Sequence, residues 1–306
     1  MKTLFTHAVV ALDHSQASDI ILDQLPYLKE LGLKKVTLIT VVSVAYTDDE
    51  GEVETDLTPY EDKLENYKKR MENAGLAAEI EIISGSYAFP PTEIMKTADE
   101  KNADLIIIGN RGHSMVQEML LGSTATEVLQ RSHLPVLLLN MDMEYVDEDE
   151  KERHLVVHHS FENVLSHVLH ATDFSDTADR AFKVVQDLDA KGNVGKVSLI
   201  HVQGHHALAL SDPISHDELM KMNEENLEEM RNTLSDSTRE DSEIIITFGT
   251  PGKEIIQTIE ERGITLAVLG SQGKGFVHEF FLGGVSTQVT RFSKIPVLLI
   301  PAEREQ

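Results

Sequence analysis

The 306-residue sequence contains no cysteine. That excludes disulfides, thiol nucleophiles and cysteine-ligated zinc or iron–sulfur centres. Basic residues are scarce too: 27 Lys and Arg stand against 52 Asp and Glu, a net charge of −25. Such a surface repels phosphate backbones and anionic lipid, because favourable binding there needs Lys and Arg to replace counterions. Neither nucleic acid nor membrane is an expected partner. The acidity reads as ordinary solvation, with salt tolerance or resistance to aggregation as the functional alternatives. No apolar run approaches the roughly 20 residues that span a bilayer. The first twelve residues lack a long apolar core with a cleavage site and read as a strand running into Asp13. No signal peptide is inferred, and a cytoplasmic protein is expected.

Several signatures of chemistry are also missing. No G-x-G-x-x-G follows the first strand, so a dinucleotide site is unsupported. Gly252-Lys253-Glu254 and Gly273-Lys274-Gly275 lack the upstream glycine and the following Ser or Thr of a P-loop. No G-x-S-x-G nucleophile elbow is present, so nucleophilic catalysis has no support and no catalytic residue is assigned.

What is there is a repeat. FTHAVVALDHS (Phe5–Ser15) matches LSHVLHATDFS (Leu165–Ser175), and KVTLITV (Lys35–Val41) matches KVSLIHV (Lys196–Val202). ADLIIIGNRG (Ala103–Gly112) matches TLAVLGSQG (Thr265–Gly273), and LPVLLL (Leu134–Leu139) matches IPVLLI (Ile295–Ile300). Four blocks in one order, displaced by about 160 positions, mark duplication of a whole domain rather than a solenoid. The expected organisation is a first domain over 1–142, an acidic linker over 143–160 and a second domain over 161–306. The VVHH piece of the linker is expected to add an edge strand or a packing arm.

Short Val/Ile/Leu runs alternate with segments of helical period, which implies parallel strands joined by right-handed crossovers. Five strands are expected per half: Ala8–Leu12, Val36–Val42, Glu79–Ile83, Leu105–Ile108 and Pro135–Leu139, then Val168–Thr172, Lys196–Val202, Glu243–Thr247, Leu266–Leu269 and Val297–Ile300. Helices are expected at Ser18–Leu31, Thr58–Ala74 and Glu93–Glu100. The fold class is α/β, two similar domains, each a five-stranded parallel sheet of order 3-2-1-4-5 with helices on both faces.

After its fourth strand the first half reads Gly109-Asn-Arg-Gly112, nine residues, then Gly122-Ser123-Thr124. The second reads Gly270-Ser-Gln-Gly273, nine residues, then Gly283-Gly284-Val285-Ser286. Glycines permit sharp turns and close approach of backbone N–H groups to an anion. The helix that follows, Ser123–Arg131 or Val285–Phe292, points its positive end at the same anion. Asp13 and Asp173 end the first strands, next to the glycine loop if the order is 3-2-1-4-5, where open α/β sheets bind ligands. The carboxylate suits sugar hydroxyls, the glycine loop phosphates, and the backbone around Val41 and Val202 a base. The competing reading is that the glycines only make tight loops and that both aspartates cap the helices after them.

The G-2x-G-9x-G-(S/T) pattern with its strand-end aspartate resembles the universal stress protein family in its tandem form, over both halves but not the linker. ATDFSDTADRA (Ala171–Ala181) is similar to the ATP-binding branch of that family. The resemblance implies ATP binding, with or without Mg²⁺, pairing through the last strand, and a role in stress response rather than efficient catalysis. By matching position it implies nucleotide contacts at Asp13, Val41, Gly109, Gly112, Gly122, Ser123 and Thr124, and at Asp173, Val202, Gly270, Gly273, Gly283, Val285 and Ser286. Gly284 departs from the family's Ser or Thr. Arg111 adds a cation to the first site where the second has Gln272, and Lys274 and Ser286 are the candidates to compensate. The first site is expected to be the stronger, although ATDFSDT resembles the ATP binders more than ALDHSQA does.

The expected reading is a cytoplasmic stress-response protein that binds an adenine nucleotide and acts by binding. The alternatives are a slow Mg²⁺-dependent ATP hydrolase using Glu118, or Glu279 in the second half, and a nucleotide-free interaction scaffold. The two apolar last strands invite an intramolecular pseudo-dimer, with a homodimer as the further option; the protein partner is unknown. His201, His205 and His206, and His154, His158 and His159 in the linker, read as solvated or core-edge residues, since no converging ligand set is evident and no metal is assigned. Met220, Met222 and Met230 read as packing residues of a helix.

Overall fold

The apolar runs become strands because each is short, rich in Val, Ile and Leu, and bounded by polar or glycine residues. The computed structural model describes residues 5–43, 46–47, 51–52, 56–112, 121–145, 153–204, 213–273 and 282–303. They fall into two compact units, Met1–Glu162 and Asn163–Gln306. In the first, β1 (His7–Ala11), β2 (Lys35–Ser43), β3 (Ala77–Gly85), β4 (Leu105–Gly109) and β5 (Val136–Leu139) form a parallel sheet. Its pairings, β3 with β2, β2 with β1, β1 with β4 and β4 with β5, give the order 3-2-1-4-5. In the second, β6 (His167–Ala171), β7 (Lys196–Gly204), β8 (Glu243–Gly249), β9 (Leu266–Gly270) and β10 (Val297–Ile300) repeat that order. All five residues of β4 are buried, as a strand with helices on both faces requires.

The helices of the first unit are α1 (Gln16–Gln24), α2 (Thr58–Asn73), α3 (Pro90–Glu100) and α4 (Ser123–Arg131). The second has α5 (Asp176–Asp189), α6 (Pro213–Asn232), α7 (Asp236–Asp241), α8 (Pro251–Arg262) and α9 (Gly284–Phe292). The expected helix Ser18–Leu31 is in fact α1 followed by a 3₁₀ segment, Leu25–Leu31. Pro26 stands at the join; without an N–H it cannot continue the α-helical ladder. The matching α5 has no proline and runs unbroken for 14 residues. The expected Glu93–Glu100 starts earlier, at Pro90, since a proline at the first position costs a helix nothing there.

Duplication extends to the opposite end of the strands. His7 Nε2 lies 2.8 Å from Thr37 Oγ1 and His167 Nε2 2.8 Å from Ser198 Oγ. The salt bridges Lys35–Glu79 and Lys196–Glu243 flank them, each at 2.7 Å. Burial, and then the neighbouring lysine, push both histidines below the usual imidazole range. The stretch Met143–Ser160 belongs to the first unit, where Asp142–Tyr145 and Arg153–Val156 pair as an antiparallel ribbon. No described helix is long and apolar enough to cross a membrane.

Candidate functional site

β1 and β4 are neighbours whose chains leave in opposite directions, so a crevice opens beyond their ends. Asp13 stands at its edge. Its Oδ1 accepts from the Ser15 N–H at 3.0 Å, from the Ser15 hydroxyl and from the Ser18 hydroxyl at 3.1 Å. Ser15 is the residue that caps α1, its hydroxyl accepting from the Ala17 N–H, and Ser175 caps α5 through the Ala178 N–H. The aspartates therefore do not cap; Asp13 holds the capping serine from behind, and Asp173 accepts from the Ser175 N–H at 3.1 Å.

The next residue of each half, His14 (φ 63°) or Phe174 (φ 57°), is left-handed, a conformation uncommon outside glycine. His14 is fixed by Thr40 Oγ1, 2.9 Å from its Nε2, and by Lys63 Nζ donating to its carbonyl at 2.9 Å. Phe174 stacks on His201 with ring centroids 4.7 Å apart, and His201 Nδ1 meets the Thr172 carbonyl at 2.9 Å.

The motif glycines serve space rather than turning. None of Gly109, Gly112, Gly122, Gly270, Gly273 and Gly283 has a positive φ, which corrects the reading of them as sharp-turn residues. A Cβ on Gly112 would collide with Asp13 Oδ2, and one on Gly273 with Asp173 Oδ2. A Cβ on Gly109 would meet the Met141 side chain and, at 3.2 Å, Ile21. Gly122 closes its loop by donating to the Asn110 carbonyl at 2.8 Å, as Gly283 does to Ser271. Those N–H groups are committed, which leaves the first turn of α4, at Ser123, Thr124 and Ala125, as the donors without an acceptor inside the helix.

Val41 is placed by strand parity. The Leu12 N–H bonds the Ile39 carbonyl, and β1 ends opposite Ile39. Two residues on, Val41 presents its N–H and C=O to the same side, past the end of β1. Val202 repeats this beyond Ile200, which accepts from the Thr172 N–H.

These elements enclose a cavity of 320 Å³ lined by Asp13, Val41, Gly109, Arg111, Gly112, Gly122, Ser123 and Thr124. A second, of 270 Å³, is lined by Asp173, Val202, Gly270, Gly273, Gly283, Val285 and Ser286. Each half thus brings its expected residues together. Sequence reasoning missed the apolar slot, Ile39, Pro90 and Ile94 in one and Ile200, Pro251 and Ile255 in the other. Its signal was available: in both halves the helix after the third strand opens with a proline.

The sequence model of the universal stress protein family matches residues 4–140 and again 165–301. The chain belongs to the universal stress protein family. A universal stress protein of Methanocaldococcus jannaschii is 27% identical over 160 residues, which cover 45% of this chain and 97% of that protein. A solved universal stress protein from Archaeoglobus fulgidus DSM 4304 superposes with a TM-score of 0.69 at 26% identity, over 98% of this chain and 99% of that one. A Pseudomonas aeruginosa PAO1 protein, 13% identical, shares the fold, with a TM-score of 0.66 over 98% of this chain and 93% of that one.

Within this universal stress protein two expected contacts are redirected. Arg111 does not stand ready as a cation in the cavity. Its side chain is 7% exposed, its Nε donates to the Met141 carbonyl at 2.9 Å, and its Nη2 lies 3.7 Å from the Asp142 carboxylate. Ser286 lines the second cavity, but its hydroxyl donates to the Gly270 carbonyl at 2.7 Å and is not an available phosphate donor. His158 Nε2 lies 3.1 Å from the Asp142 carboxylate, and among the described residues no group of three His, Asp or Glu is arranged to hold a metal. Met222 is exposed rather than packed. Glu118, Glu279, Lys274, His205 and His206 lie outside the described residues.

Proposed function

We propose that this universal stress protein binds an adenine nucleotide, ATP in the first instance, in the cavity of its first half. The observation that carries the reading is the convergence on one cavity of a carboxylate, an open strand edge and a helix start bearing two hydroxyls. The base would lie in the slot of Ile39, Pro90 and Ile94 and bond the backbone of Val41, which offers one donor and one acceptor. Asp13 would accept the ribose hydroxyls, since a carboxylate has about four acceptor positions. The phosphates would meet the first-turn N–H groups of α4 and the hydroxyls of Ser123 and Thr124. Mg²⁺, if it accompanies ATP, would arrive on the phosphates, because the described residues supply no cage of their own.

The protein would act through occupancy rather than turnover. Among the described residues lining that cavity Asp13 is the acidic side chain, and its Oδ1 is already occupied in holding Ser15 and Ser18, so the ribose would meet Oδ2. Chromatography of whatever the acid-denatured protein releases, with calorimetry of ATP binding, tests the reading. A nucleotide-free preparation that takes up no ATP at millimolar concentration would sink it. A time course of ADP formation decides the hydrolase alternative.

A further inference from the structure

The two cavities agree in one part and differ in another. Their slots correspond residue by residue: Ile39, Pro90 and Ile94 against Ile200, Pro251 and Ile255. Asp173 touches Gly273 as Asp13 touches Gly112, and Val202 opens past the end of β6 as Val41 does past β1. Everything suited to a base and a ribose is present twice.

At the helix end the halves part. Ser123 and Thr124 open α4, whereas Gly284 and Val285 open α9. Val and Thr have nearly one shape, so this exchange keeps the wall and deletes its hydroxyl. The third position of α9 does bear a hydroxyl, on Ser286, but that proton is held by the Gly270 carbonyl and the residue is buried. Where the first half has Arg111, the second has the uncharged Gln272. Backbone N–H groups remain at both helix starts, so they cannot create a difference between the halves.

Resting on the adenine reading above, we propose that the second cavity takes a purine nucleoside rather than a nucleotide. One chain would then hold two ligand classes that share a base and a sugar and differ in phosphate. A charge-assisted hydrogen bond from a hydroxyl to phosphate changes affinity by about tenfold to a hundredfold. Loss of two such donors leaves only the backbone N–H groups at the start of α9 for phosphate, so ATP loses most of its margin over adenosine in the second half.

Equilibrium binding of ATP and of adenosine to the full-length chain tests this. Gly122→Val and Gly283→Val each put a branched side chain on a cavity-lining position, where even a Cβ meets the Asn110 or Ser271 carbonyl at 3.3 Å, and so crowd the first and the second cavity respectively. With only the second cavity open, adenosine is expected to bind within about threefold of ATP; with only the first, ATP is expected to win by about tenfold or more. Adding Gly284→Ser and Val285→Thr to the Gly122→Val chain should raise ATP affinity about tenfold and leave adenosine unchanged. Lys274→Ala in that background separates any contribution of its charge, and a large loss of ATP there counts against the inference. If the valine variants do not fold, Ser123→Gly with Thr124→Val at the helix surface supplies the reciprocal test: one of two sites loses ATP about tenfold and keeps adenosine. A second cavity that prefers ATP by more than tenfold overturns this inference and leaves the adenine reading standing. An unaltered chain that binds neither ligand overturns both.

Discussion

Val10 and His170 occupy matching points at the centres of β1 and β6, each between two parallel neighbours. Val10 is simply core. His170 is 0% exposed, its Nδ1 meets the Val268 carbonyl at 3.1 Å, and its Nε2 has no hydrogen-bond partner among the described residues. Its ring packs 5.4 Å from that of Phe182. The same split runs through the cavities, where the halves keep the left-handed residue, the glycine against the carboxylate and the open strand edge, while hydroxyls and charge change. At the sheet centre and around the cavities backbone geometry is preserved and polar side chains have diverged, whereas at the opposite strand ends the His, Lys and Glu side chains are kept in both halves.

The largest test of that contrast is acid. Burial holds the His170 pKa down to about 4, well below its unfolded value of 6.5. As pH falls below 6.5 the unfolded chain takes up the proton first, so stability drops steadily until about pH 4 and then levels. The loss there is about 3 kcal/mol. His170→Val, which copies the first half, should remove that loss while changing little at pH 7. Urea denaturation at pH 7 and pH 4, followed by amide exchange to separate the halves, measures it; unchanged acid sensitivity of the second half would refute the account.

Next in size is Gly112→Ala against Gly273→Ala. Each new methyl group takes the place of an aspartate oxygen. Displacing a carboxylate that accepts from the ligand should weaken binding in its own half by about tenfold to a hundredfold and leave the other half alone. Calorimetry on the folded variants reads this directly, and equal losses at both sites would break the independence of the halves. Smallest is Arg111→Gln, which copies Gln272. With its guanidinium held by the Met141 carbonyl, the charge should alter ATP affinity by less than about threefold, the scale of a screened ion pair. A tenfold loss would mean that Arg111 leaves Met141 for the phosphates.

The strands were legible because each is a local apolar run that occurs twice, and the strand order followed from their alternation with helices. The places of Asp13, Gly112 and Gly122 on the cavity were legible because the same residues recur 160 or 161 positions on. The purpose of the glycines was not, since it depends on where a carboxylate about 100 residues away comes to rest. Nor was the direction of Arg111, which a carbonyl 30 residues later decides. The left-handed backbone at His14 and Phe174 leaves little mark in sequence, because His is among the types enriched in that conformation but the matching Phe is a bulky residue that disfavours it. Pro26 did mark the break after α1 but falls within a helical period that masks it.

The antiparallel ribbon of the first unit, Asp142–Tyr145 with Arg153–Val156, depends on its surroundings for its order. Two strands of four residues are marginal by themselves in water. This pair borrows its order from the residues after β4 and the start of α1, beside the cavity. Asn110 bonds the Met141 backbone in both directions, at 2.9 and 3.1 Å, Arg111 reinforces the same carbonyl, and the Gln16 side chain accepts from the Leu155 N–H at 3.4 Å. Protection of an amide against exchange measures how often its surroundings open. The Met141 and Leu155 amides are therefore built-in gauges of the wall beside them, readable in the unliganded protein and without touching the pocket itself.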